Sequence, residues 1–128
     1  LLAVQKDLVI LMGELATPLE DLPRYLKDGF SRITPELTAK LDHLVQTIES
    51  QKISFRGWAL PGDTLNSAAL DLARTACRRA ERRVLSLAAE EEVAEEVLQY
   101  LNRLSDLLFV IARVLARVES GGEVLWQR

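Results

Sequence analysis

A chain of 128 residues is of single-domain length and can bury a core without disulfide or metal staples. Hydrophobic residues make up 48%, aromatics 5% and charged residues 27%, which excludes a disordered chain and favours packed helices over sheets. The net charge of −3 excludes a general nucleic-acid binder, so any anion site must be local.

In chain order, Leu1, Val4, Leu8, Leu11 and Leu15 repeat at three and four, which predicts a buried helix over residues 1–16. Pro18 ends it, because the residue before a proline is pushed out of the helical region. Residues 17–33 carry two prolines, Gly29 and mixed polarity, and read as an irregular connection. Thr34-Pro35-Glu36 is a helix start, with an N-cap hydroxyl, a proline at the first helical position and an acid in the first turn. Leu37, Leu41, Leu44, Val45 and Ile48 then give a second amphipathic helix ending near Gln51.

Residues 53–62 form a loop with Phe55, Trp58 and the turn pair Pro61-Gly62. Its aromatics either plug the bundle end or offer a flat wall to a flat ligand. Asp63 or Thr64 caps a third helix that runs to about Ala88, with Leu65, Ala69, Leu72, Ala76 and Ala80 as the expected core stripe. The glutamates of residues 90–96 complement the dipole at the start of a fourth helix, which Gly121-Gly122 ends. Val97, Leu101, Leu104, Leu108, Ile111, Leu115 and Val118 form its main stripe, and Leu107, Val110 and Val114 a second apolar face. A helix apolar nearly all round is normally buried all round, which implies oligomerisation or a further helix upstream of Leu1.

The chemistry is concentrated in the third helix. At about 100° per residue, Arg74, Arg78, Glu81 and Arg82 fall within roughly a 100° arc, a row of planar donors suited to phosphate oxygens. The bland alternative is a solvated charged face. On the fourth helix Asn102, Asp106 and Arg113 make a narrow polar stripe interrupted by Phe109, and Asn102 reads as buried. Arg103 points among Leu107 and Val110 and requires a carboxylate, either Asp106 at i+3 or an acid of another subunit. Cys77, the one cysteine, reads as a small buried hydrophobe, and His43, the one histidine, as a surface or packing residue. No apolar run is long enough to span a bilayer, no signal-peptide layout opens the chain, and a cytoplasmic location is expected.

Arg78-Arg79-Ala80-Glu81-Arg82-Arg83, followed by Leu101-Asn102-Arg103-Leu104-Ser105-Asp106-Leu107-Leu108-Phe109, resembles the PduO-type ATP:cob(I)alamin adenosyltransferases. The likeness extends to Leu60-Pro61-Gly62 and to Gly13-Glu14-Leu15-Ala16-Thr17-Pro18. It implies an all-α antiparallel helical bundle, a homotrimer of five-helix bundles with active sites between subunits. The family's first helix and N-terminal phosphate loop lie outside these 128 residues, so the chain reads as a single, N-terminally incomplete domain.

The implied reaction moves the 5′-deoxyadenosyl group of ATP to the cobalt of cob(I)alamin, with ATP, cobalamin and Mg2+ as the bound species. The resemblance assigns Arg78 and Arg82 to catalytic contact with ATP, with Arg79 and Glu81 beside them and Asn102 on the nucleotide. Arg74 would pair with an aspartate of a neighbouring subunit, and Arg103 and Asp106 would serve structural or intersubunit roles. Trp58 stands where the family has a phenylalanine on the corrinoid's lower face. A corrinoid reductase and an adenosylcobalamin-dependent client enzyme are the implied protein partners, with no nucleic acid and no membrane. The alternative is a non-catalytic corrinoid- or nucleotide-binding bundle of the same fold. A third reading is a structural bundle whose arginines serve only subunit contacts.

Overall fold

The computed structural model of the chain describes residues 1–50, 58–59, 62, 64–120 and 125–126. Five α-helices carry the fold: α1 (Leu2–Ala16), α2 (Leu22–Lys27), α3 (Pro35–Glu49), α4 (Leu65–Ala88) and α5 (Glu95–Ser120). A 3-10 turn at Leu19–Asp21 precedes α2, and two two-residue strands, β1 (Trp58–Ala59) and β2 (Leu125–Trp126), pair antiparallel. The four long helices match the sequence expectation. Within residues 17–33 the chain is more ordered than expected, because Pro23 sits at the first turn of α2, where a missing N–H costs nothing.

Helix starts follow local chemistry. Thr64 caps α4 through a reciprocal box: its hydroxyl accepts from the Ser67 N–H while the Ser67 hydroxyl accepts from the Thr64 N–H. Thr34 is the N-cap of α3, but its hydroxyl makes no capping bond, and Pro35 sets the entry instead.

α5 is the central helix, packed against α4 and α3. Tyr100, Leu107, Val97 and Leu104 are essentially inaccessible and, with Leu41 of α3 and Leu11 of α1, make one core. Leu107 and Val110, the second apolar face of α5, are therefore already covered within one chain. The apolar surplus lies mostly elsewhere, on α1 at Val9 and Met12 and on α4 at Leu65 and Leu72, which are 87% and 72% exposed; on α5, Val118, expected in the main stripe, is 73% exposed beyond the covered length of the helix.

This corrects the expected core face of α4. The buried positions are Ser67, Leu70, Cys77 and Val84, whereas Leu65, Ala69, Leu72, Ala76 and Ala80 are exposed. Two apolar stripes compete on this helix, and the sequence alone does not rank them. One packs within the chain, and its Leu70 and Cys77, together with Ala76 and Ala80 of the other, line an apolar groove of about 410 Å³ between α1, α4 and α5, walled also by Val4, Leu8 and Leu104.

The end of α1 is tied down by charge. Glu14, 6% exposed, accepts from the Ile33 N–H at 2.8 Å through Oε1 and from Arg32 Nη2 at 3.2 Å through Oε2. It thereby fixes the segment that enters α3. Beside it, the Tyr25 hydroxyl lies so close to Gly13 that a Cβ there would stand 2.6 Å from it, so a side chain at this position would require the Tyr25 ring to shift.

Candidate nucleotide-binding site

The arginine row is built by α4, and its two sides differ. Arg74 and Glu81 are half-buried at the edge of the core stripe, while Arg78, Arg79, Arg82 and Arg83 are exposed. A helix whose neighbours cover one side leaves these guanidiniums open to solvent on the other, where planar donors can meet phosphate oxygens. Arg74 Nε and Glu81 Oε2 are buried atoms with no hydrogen-bond partner among the described residues. Each is a group that a ligand or a neighbouring chain can satisfy.

Phe109 of α5 lies under two cations. The Arg74 guanidinium carbon is 5.3 Å and that of Arg113 5.6 Å from its ring centroid, within cation–π range. Arg113 is 5% exposed. Next to this ring opens a pocket of about 340 Å³ between α3, α4 and α5, lined by Val45, Glu49, Arg74, Asp106, Phe109 and Val110. The structure thus brings Arg74 and Asp106 to one cavity, although no bond joins them among the described residues.

Two expectations on α5 are corrected. Asn102, read as buried, is exposed in the single chain. Arg103, read as buried and paired with Asp106 or with another subunit, is 43% exposed at its side chain and pairs with Asp42 of α3, Nε to Oδ1 at 3.0 Å. Its Nη1 also donates to Asn102 Oδ1 at 2.8 Å. The reason is helix–helix packing: α3 crosses α5 closely enough that an acid one helix away is nearer than Asp106 one turn along. Asp42 carries no sequence signal of this role beyond its place next to Leu41, a core residue.

Cys77 is buried as expected, its thiol donating to the Leu101 carbonyl at 3.3 Å. Burial, and then the nearby Glu81 charge, push its pKa up to about 11 against the opposing pull of Arg78. A thiol so held is no nucleophile near neutrality. His43 is exposed, and among the described residues no group of three or more His, Cys, Asp or Glu side chains is placed to hold a metal. Trp58 belongs to β1, where its backbone pairs with Trp126. Its side chain lies outside the described part of the structure, as do Phe55, Leu60, Pro61 and Gly121-Gly122.

A sequence model described as cobalamin adenosyltransferase matches residues 1–115. The chain belongs to the cobalamin adenosyltransferase family. It is 41% identical over all 128 residues to a cobalamin adenosyltransferase of Cupriavidus metallidurans, and 37% identical over 128 residues to the corrinoid adenosyltransferase of Bacillus subtilis. It spans 64% and 63% of those two proteins, somewhat less than two thirds of each. Among solved structures it is similar to a variant of the PduO-type ATP:corrinoid adenosyltransferase from Lactobacillus reuteri complexed with cobalamin and ATP. The TM-score is 0.84 at 31% identity, covering 98% of this chain and 67% of that one. Family membership and the helical fold thus bear out the resemblance stated from the sequence. No helix among the described residues is long and apolar enough to cross a membrane.

Proposed function

We propose that the protein of which this chain is the larger helical part transfers the 5′-deoxyadenosyl group of ATP to the cobalt of cob(I)alamin. The reaction gives adenosylcobalamin and triphosphate. The observation that carries the reading is the row of open guanidiniums on α4, in a family whose Lactobacillus reuteri member is described with cobalamin and ATP bound. In the reaction the cobalt electron pair forms a bond to C5′ of ATP. The C5′–O bond breaks, and its electrons leave with the triphosphate.

The nucleophile belongs to the corrinoid, so the chain supplies orientation and charge rather than acid–base chemistry. Arg78 and Arg82 hold the triphosphate and neutralise the charge it gains on leaving, with Arg79 alongside. Glu81 orients these arginines or accepts from a nucleotide hydroxyl through its unsatisfied oxygen. Asn102 contacts the nucleotide. Mg2+ would accompany the phosphate oxygens of ATP and neutralise part of their charge. Trp58 supplies the wall against the corrinoid's lower face.

The same reading makes the working enzyme a homotrimer of five-helix bundles with sites between subunits, in the cytoplasm. The apolar groove between α1 and α4 then receives a helix from upstream of Leu1, and the open row on α4 faces a neighbouring protomer. Arg74, with its unsatisfied Nε, pairs with that neighbour's aspartate. A reductase delivers the Co(I) corrinoid, and an adenosylcobalamin-dependent enzyme receives the product. The test is the absorbance change of adenosylated product, formed by the full-length protein from ATP and cob(I)alamin under strict reduction. Product that requires both substrates supports the reading, and its absence with an intact, folded protein refutes it.

A further inference from the structure

Asn102 is held in one orientation by a neighbour, and that neighbour is held by a third residue. A guanidinium can only donate, so the Asn102 atom 2.8 Å from Arg103 Nη1 is the carbonyl Oδ1. The amide NH2 therefore faces the other way, and among the described residues its two hydrogens have no acceptor. Arg103 has two partners here, with Nη1 donating to Asn102 and Nε in an ion pair with Asp42 Oδ1 at 3.0 Å. Because Asp42 sits on α3 and the other two on α5, the orientation of the amide depends on the packing of those helices.

We propose that Asp42, acting through Arg103, is a positioning residue that fixes Asn102 as a dedicated hydrogen-bond donor to an acceptor atom of the nucleotide. The proposal rests on the reading above that Asn102 contacts ATP. Stability does not explain the pair, since side chains 43% and 45% exposed contribute little to folding. What the pair does supply is selection between two nearly isosteric states of one amide. Free of Arg103, the Asn102 amide can turn and present its carbonyl, which repels the oxygen or ring-nitrogen acceptors of a nucleotide. With Arg103 clamped by Asp42, only the donor face is offered. Lysine at position 103 cannot reproduce this, because a point-like ammonium lacks the planar fork that spans both partners.

The experiment measures KM for ATP, kcat and thermal unfolding in the full-length protein, for Asp42→Asn, Arg103→Lys, Asn102→Ala and the Asp42→Asn/Asn102→Ala pair. One hydrogen bond to the nucleotide corresponds to about a three- to tenfold rise in KM. Asp42→Asn and Arg103→Lys are each expected to raise KM by that factor, with kcat within about twofold and unfolding temperature within about 2 °C of the parent. The double variant is expected to match Asn102→Ala alone, since both changes remove the same contact. Wild-type KM in Asp42→Asn or Arg103→Lys, or a double variant whose KM rise is the product of the single effects, overturns the proposal. Should Asp42→Asn not fold, Arg103→Lys decides alone. Wild-type KM in Asn102→Ala removes the nucleotide contact itself, and the proposal with it.

Discussion

Replacing Glu14 by alanine is expected to destabilise the folded chain by about 2–4 kcal/mol. Glu14 is 6% exposed and Ile33 4%, so deleting the carboxylate leaves the Ile33 N–H, now bonded at 2.8 Å, buried without an acceptor. That orphaned donor costs about 1–3 kcal/mol. The lost pair with Arg32, whose side chain is 35% exposed, adds about 1 kcal/mol once solvent screening is allowed for. Glu14→Gln separates the two contributions. Its carbonyl can still accept from Ile33, while the charge opposite Arg32 is gone, so the loss falls to about 1 kcal/mol. The assay is chemical denaturation at fixed protein concentration, followed by far-ultraviolet circular dichroism. An alanine variant within about 0.5 kcal/mol of the parent, or a glutamine variant as unstable as the alanine one, refutes this account of how α1 anchors the entry to α3.

Tyr100, fully buried, donates to Asp7 Oδ2 at 2.9 Å and joins α5 to α1. Tyr100→Phe is expected to cost about 1–2 kcal/mol at neutral pH, read from the same denaturation curves. Burial, then the Asp7 hydrogen bond and charge, raise the Tyr100 pKa above its ordinary 10.0. The unfolded chain therefore loses this proton first as pH rises, and wild-type stability falls beyond pH 10. The phenylalanine variant lacks that loss, so the gap between the two proteins should narrow in alkali. Cys77, raised from 9.0 to about 11, should react with iodoacetamide at pH 8 at least about a hundredfold more slowly in the folded protein than after unfolding. Equal rates would place the thiol outside the core.

The long helices were legible because each carries several turns of apolar period, and because Pro18, Pro35 and Thr64 mark their ends with local chemistry. α2 was not, being six residues long with too few turns to show a period. On α4 two apolar stripes stood side by side, and nothing local told which one α5 would cover; the choice fell to Leu70, Cys77 and Val84. The arginine row was visible because one element supplies all of it. Interhelical partners were not: Asp42 with Arg103, Asp7 with Tyr100 and Glu14 with Ile33 are pairings of residues far apart in sequence. Periodicity marks which face a residue occupies, and packing alone decides what stands opposite.

In the proposed reaction the guanidiniums of α4 hold the triphosphate of ATP. Arg78→Ala and Arg82→Ala in the full-length protein test it most directly, with ATP-dependent formation of adenosylated corrinoid and the oligomeric state measured on the same samples. Both side chains are exposed in the single chain, so neither change should disturb folding. Loss of product formation with the assembly intact is the predicted result. Wild-type turnover in both variants would contradict the account.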